Sequence, residues 1–300
     1  MDTGSNFNDL KHATLNNGET LAYREQSPAD SSKPGETILF LHATLCSSTQ
    51  LNTGGLLDKL TETYPHARFV APDLRGQGHS TYNKKIESNA DLADDLKLFL
   101  DVLKIEKVSL IGTCLGGYVS GIFASRYPEY LNCVIFIGAL SMLGGNHMFS
   151  DETFPKTTQD IDKFPHFMYM NPCLEKKDKV SIRPMLDGFH AKNWVSAKNF
   201  DLLLDDIILC QNLREVFYGE AHGNYSSVNN GRVEGSREVE KITTRALIIH
   251  GVEDKTIPID HARQMAKAIK GCVINEMPGA DHFTWHDDLE GTINHIKAFI

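Results

Sequence analysis

The chain has 300 residues, 41% of them hydrophobic and 23% charged, with a formal net charge of −9; it can bury one sizeable core but is short for two full domains. An acidic balance supplies no basic excess to release counterions from a phosphate backbone, which excludes nucleic-acid binding as the main role. No apolar run is long enough to span a membrane, and Met1 to Asp9 carry neither the basic nor the apolar part of a secretory signal. Cys46, Cys114, Cys133, Cys173, Cys210 and Cys272 form no Cys-x-x-Cys pair and no metal-ligand spacing. The expectation is a cytoplasmic protein with reduced thiols, no metal and no cofactor.

In chain order, residues 11–26 read as a hairpin around Asn16-Asn-Gly18. After a polar linker, Thr37-Ile-Leu-Phe-Leu41 is an unbroken apolar run of strand length, as expected of a strand covered on both faces. Residues 50–63 read as a helix, Ala67 to Ala71 as the next buried strand, and Pro72-Asp-Leu-Arg-Gly-Gln-Gly-His-Ser80 as a tight loop. Leu92, Leu96, Phe99, Leu100 and Leu103 mark one face of a helix over 89–105. Buried strands follow at Val108 to Ile111 and Cys133 to Ile137.

The strand–helix alternation stops between about Ser141 and Glu240. This stretch shows no clear buried strand and holds a helix with Phe200, Leu203, Leu204, Ile207 and Ile208 on one face. It is expected to be a helical lid, 141–240, inserted into a core made of 1–140 and 241–300. Residues 224–235 are expected to form a flexible, exposed loop; Asn224-Tyr-Ser226 fits a glycosylation triplet that no export signal supports. The alternation resumes with the strand Arg245 to Gly251, a helix over 258–270, a strand at Cys272 to Glu276 and a closing helix from Leu289. Strands alternating with helices predict a mostly parallel sheet flanked by helices, an α/β fold.

Chemistry concentrates on Gly112-Thr-Cys-Leu-Gly116, placed between an apolar strand and a small-residue helix. Small residues two before and two after Cys114 permit a turn tight enough to hold its side chain clear of both elements. Free cysteine is more often a buried packing residue, but the strand–turn–helix setting makes Cys114 a candidate nucleophile. A helix N-terminus beyond it favours the thiolate. A nucleophile needs a base, and the base an orienting acid. Asp254 follows the strand ending at Gly251 and His282 follows the strand ending near Glu276, so both fall on loops at strand ends. Asp254 alone would read as a helix-capping residue, and Glu253 is its nearest rival. His42 reads as a loop brace and Cys46 as an unreactive packing thiol. His282 and His286 are four apart, but no His-Glu-x-x-His motif and no helix is expected there, so a metal site is set aside.

The order Cys114, Asp254, His282, with Phe40-Leu-His-Ala43, the Pro72–Ser80 loop, the elbow and Gly251 to Asp254, resembles the α/β-hydrolase family from about residue 11 to 300. Cysteine stands where that family usually has serine, as in dienelactone hydrolases, and Ala43 stands where glycine is common. The resemblance implies an oxyanion hole from the backbone N–H groups of Thr44 and Leu115. It also implies an acyl-cysteine intermediate on a small-molecule ester, lactone or thioester, free or carrier-bound. Hydrolysis is the first expectation and acyl transfer, including lactone formation, the alternative; a carbon–carbon hydrolase or lyase and a non-catalytic binder rank lower.

Overall fold

The computed structural model describes residues 7–28, 35–142, 149–150, 152–187, 193–194, 196, 198–227 and 229–300. Among them, eight strands form one sheet: β1 (Lys11–Thr14), β2 (Thr20–Gln26), β3 (Thr37–Leu41), β4 (Arg68–Pro72), β5 (Val108–Thr113), β6 (Leu131–Ile137), β7 (Ala246–Gly251) and β8 (Val273–Met277). Their spatial order is β1-β2-β4-β3-β5-β6-β7-β8. β1 and β2 pair antiparallel, β2 pairs antiparallel with β4, and every later pair is parallel.

Three helices precede β6: α1 (Leu56–Thr63), α2 (Ala90–Leu103) and α3 (Leu115–Arg126). Between β6 and β7 run α4 (Pro165–Glu175), α5 (Lys179–Asp187), α6 (Phe200–Ile207) and α7 (Leu213–His222), with no strand among the described residues. α8 (Ile259–Ala268), α9 (Thr284–Asp287) and α10 (Leu289–Phe299) complete the chain.

The strands read as continuous apolar runs because both faces of the sheet are covered. Ile38, Phe40, Ile111, Ile135, Ile137, Leu247 and Ile249 face one core with α1, α9, α10 and the helical insertion. Leu39, Leu41, Leu110, Val134, Phe136 and Ile248 face the other, with α2, α3 and α8. Each fully buried Leu, Ile or Phe contributes about 1.5–3 kcal/mol.

Three expectations need correction. The helix read over 50–63 is broken: a 3-10 turn, Ser48–Asn52, is followed by Gly54 and Gly55 at φ 62° and 82°, and α1 starts only at Leu56. Two consecutive left-handed residues cannot continue a helix. Asn224, Tyr225 and Ser226 are buried rather than exposed; the Tyr225 N–H donates to Met142 O and its ring packs edge-on against Tyr118. Finally, α9 forms where no helix was expected, just after His282.

Candidate active site

β5 ends at Thr113 and α3 starts at Leu115, so Cys114 alone makes the turn, at φ 51° and ψ −117°. That conformation is strained for an L-residue and persists only where the surroundings over-determine it. Here the Cys114 N–H donates to Ile137 O, and its carbonyl accepts from the Tyr118 and Leu140 N–H groups. Gly116 is obligatory: a Cβ there would collide with the carbonyls of Leu41 and His42, so α3 could not approach β3. Cys114 is left 3% exposed.

The structure brings the three side chains together. Asp254 Oδ2 lies 2.8 Å from His282 Nδ1, and the Cys114 sulfur is near enough to His282 to favour its charged form. Backbone amides of Thr256 and Ile257 both donate to Asp254 Oδ1 at 2.8 Å, fixing the carboxylate plane. Glu253 is exposed, and its Oε2 accepts from the Gly279 N–H. Geometry thus separates the two acids that the sequence left as rivals. His286 packs instead beside Gly54 and Trp285.

The loop after β3 is braced from several sides. His42 Nε2 accepts from the Leu74 N–H at 2.9 Å, so its Nδ1 carries the proton and donates to Ala43 O at 2.7 Å. The Ala43 N–H donates to Gln50 Oε1, and the Cys46 N–H closes a turn on Ala43 O across Leu45, which sits at φ 61°. The Thr44 N–H makes no hydrogen bond among the described residues. Leu115 opens α3, so its N–H is one of those a helix leaves without an intrahelical acceptor.

A sheet of this order, with a strained turn after β5 and loops after β7 and β8 converging on it, has a counterpart among known proteins. A family model described as alpha/beta hydrolase fold matches residues 36–170. The chain has the α/β-hydrolase fold. A hydrolase from Pseudomonas aeruginosa PA01 superposes with TM-score 0.73 at 17% identity, covering 98% of this chain and 99% of that one. The enol-lactonase from Burkholderia xenovorans LB400 superposes with TM-score 0.69 at 19% identity, over 96% and 99%. In sequence, the 2-hydroxy-6-oxononadienedioate/2-hydroxy-6-oxononatrienedioate hydrolase of Escherichia coli K12 is 25% identical over 257 residues, 85% of this chain and 83% of that protein.

In this α/β-hydrolase fold the electrostatics follow from burial and pairing. Burial opposes a charged His282, but Asp254 and the Cys114 sulfur more than offset it and raise its pKa to about 10. Burial likewise opposes an ionised Asp254, yet His282 and His250 hold its carboxyl well below the usual range. Cys46 is pushed the other way: burial first, then its neighbours Cys114, Cys210 and Asp206, lift its thiol well above the ordinary value, which suits packing rather than reaction.

Two residues escaped the sequence reading. His250, inside the β7 run, lies 3.2 Å from Asp254 Oδ2. Asp206, on α6 of the insertion, is 3% exposed and accepts hydrogen bonds from Ser47 Oγ, Thr49 Oγ1 and His79 Nε2 at 2.6, 2.6 and 2.9 Å. It ties the insertion to the loops after β3 and β4. Two open clefts of about 460 and 470 Å³ border this contact, and His79 lines both. Neither is lined by Cys114, Asp254 or His282, and His282 is 0% exposed.

Proposed function

We propose that this hydrolase cleaves a carboxylic ester, lactone or thioester through an acyl intermediate on Cys114. The observation that carries the reading is the placement of Cys114 on a strained turn, beside a His282 that Asp254 holds at 2.8 Å and whose charged form the sulfur favours. The Cys114 sulfur attacks the carbonyl carbon, forming a C–S bond while the carbonyl electrons collect on oxygen. The Thr44 and Leu115 N–H groups stabilise that oxyanion. On collapse the bond to the leaving group breaks, and His282 gives its proton to the departing oxygen or sulfur. Water then attacks the thioester with His282 as base, and the Cys114 sulfur leaves. Asp254 keeps His282 in the Nδ1–H tautomer and supports its positive charge.

Segment 141–240 acts as the lid of this site. Cys114 shares one apolar cluster with Phe149, Ile161, Phe167, Trp194 and Phe200, which favours a hydrophobic acyl group and hinders entry of water until the acyl-enzyme forms. A second reading, carbon–carbon bond hydrolysis beside a ketone, is favoured by the likeness to the E. coli enzyme.

Incubating the protein and its Cys114→Ala variant with activated esters, acyl thioesters and 2-hydroxy-6-oxononadienedioate, quenching in acid and weighing the intact chains separates these readings. An adduct of acyl mass on Cys114 of the parent alone, with turnover of the esters, supports the first. Turnover of the dienedioate with no ester adduct moves the assignment to the second. Adducts of equal yield on both proteins remove Cys114 as nucleophile.

A further inference from the structure

Asp254 Oδ1 is fixed by two backbone amides, whereas Oδ2 is held only by side chains: His282 Nδ1 at 2.8 Å and His250 Nε2 at 3.2 Å. His250 is the fifth residue of β7 and is 0% exposed. Its Nε2 also lies 2.8 Å from Ile257 O. A carbonyl oxygen only accepts, so Nε2 carries the proton and donates it to Ile257 O, with Asp254 Oδ2 3.2 Å from the same nitrogen. The other ring nitrogen, Nδ1, is sealed from solvent and has no hydrogen-bond partner among the described residues.

That arrangement is a poor solution for packing alone. Leaving a buried polar atom unpaired costs about 1–3 kcal/mol, and an apolar residue in the middle of an apolar strand would avoid the cost. The other charged groups around His250 are already engaged. Glu276, its register partner on β8, is gripped by Arg263 of α8 through both carboxylate oxygens. The unmatched nitrogen is therefore tolerated for what Nε2 does on the opposite side of the ring.

We propose that His250 is a positioning residue of this catalytic centre, its Nε2–H pinning the one Asp254 oxygen that orients His282. The inference rests on the reading of Cys114, His282 and Asp254 as the reacting set. With His250 in place, Oδ2 is approached from two directions, which adds to the two amides on Oδ1 when His282 gains or loses its proton. Without it, Oδ2 answers to His282 alone, and the imidazole loses the fixed direction that places it against Cys114. A misplacement of this size at a reacting group costs on the order of 10-fold to 100-fold in rate.

The test has one arm on the unaltered protein and one on variants. In the intact chain, side-chain 15N NMR reads the His250 tautomer: protonation at Nε2 with a bare Nδ1 is expected, and the reverse tautomer, which cannot donate to Asp254, overturns the proposal. His250→Leu removes the donor, while His250→Gln returns an amide N–H near the place of Nε2. The expected result is a fall in kcat of about tenfold or more for His250→Leu with KM within about twofold. Recovery of most of the loss in His250→Gln, and a matching shift and return of the far-downfield His282 Nδ1 proton resonance, complete the expected pattern. Equal losses in the two variants, or a loss that only tracks the folded fraction with that resonance unmoved, overturn it. The NMR readings need no turnover, so they stand apart from the fate of Cys114: an acyl adduct that survives Cys114→Ala removes the nucleophile assignment while the His250–Asp254–His282 contact remains measurable.

Discussion

The carboxyl edge of the sheet and the helical insertion both bristle with polar groups, but they satisfy them differently. At the sheet edge the partners are buried side chains and backbone amides: Asp254 takes two amides and the His282 imidazole, with His250 3.2 Å away, and His42 bridges two loops. On the insertion, pairs such as Lys179–Asp205, Arg183–Asp201 and Arg214–Glu175 stand largely in solvent, where an ion pair contributes little. The insertion is held by its apolar face and by buried polar contacts, among them Asp206 with Ser47 and Thr49 and the Asn212 amide donating to Arg75 O. The difference teaches a division of labour: the groups proposed to react sit where buried amides and side chains hold them, while the insertion's own ion pairs lie mostly in solvent and add little to holding it.

The sharpest way to test that division is to remove the orienting acid. Asp254→Asn preserves shape but withdraws the charge that supports His282, and kcat should fall by about 10⁴-fold while the fold is retained; steady-state kinetics beside circular dichroism reads both. A fall below tenfold would mean that the sheet edge is less tightly coupled than its geometry indicates. Next in size is Asp206→Ala, which strands Ser47, Thr49 and His79 without their acceptor. A loss of about 2–3 kcal/mol is expected, with limited proteolysis accelerating inside 140–240 and not in the sheet. Cleavage at unchanged rate there would show that the apolar face and the remaining contacts, such as Asn212 to Arg75 O, fasten the insertion without Asp206.

A smaller effect concerns pH. His282 is raised to about 10 in the folded chain, above its unfolded value of about 6.5. The folded state therefore keeps a proton that the unfolded state releases, so this contribution is whole below about pH 6.5 and is lost as pH rises toward 10. Asp254 acts in the opposite sense: its lowered pKa contributes above the unfolded value of about 3.9 and is lost as pH falls below it. Chemical denaturation from pH 6 to 10 should show the alkaline decline in the parent and a flatter curve in Cys114→Ala, which lacks one of the two partners that raise His282. Identical slopes would separate Cys114 from His282 electrostatically. The smallest effect belongs to Glu253→Gln: the side chain is exposed and faces Gly279, so activity should change by less than about twofold, and a larger loss would reopen the choice of acid.

Much of this was legible in the residues because the groups concerned sit at ends of apolar runs. Strand ends are visible as a change from hydrophobic to small and polar residues, and Cys114, Asp254 and His282 each follow such a change. His250 was not legible because it lies one residue inside that boundary, where a histidine in a run of Leu, Ile and Ile reads as part of the strand. Asp206 was hidden for another reason: on an amphipathic helix an acid reads as solvated, and its partners Ser47 and Thr49 are 159 and 157 residues away in sequence. The false continuity of the helix over 50–63 arose because the apolar spacing carries across Gly54-Gly55, and only their left-handed backbone shows the break.

The 3% exposure of Cys114 has a consequence for kinetics rather than for chemistry. A sulfur covered in this way meets a dissolved alkylating reagent only while the molecule is transiently open, so its rate of modification counts openings instead of intrinsic reactivity. Small and bulky reagents then sample openings of different width on the same atom. The cysteine becomes a clock built into the fold, and under the proposed function the same clock would cap turnover at the rate at which the insertion admits substrate.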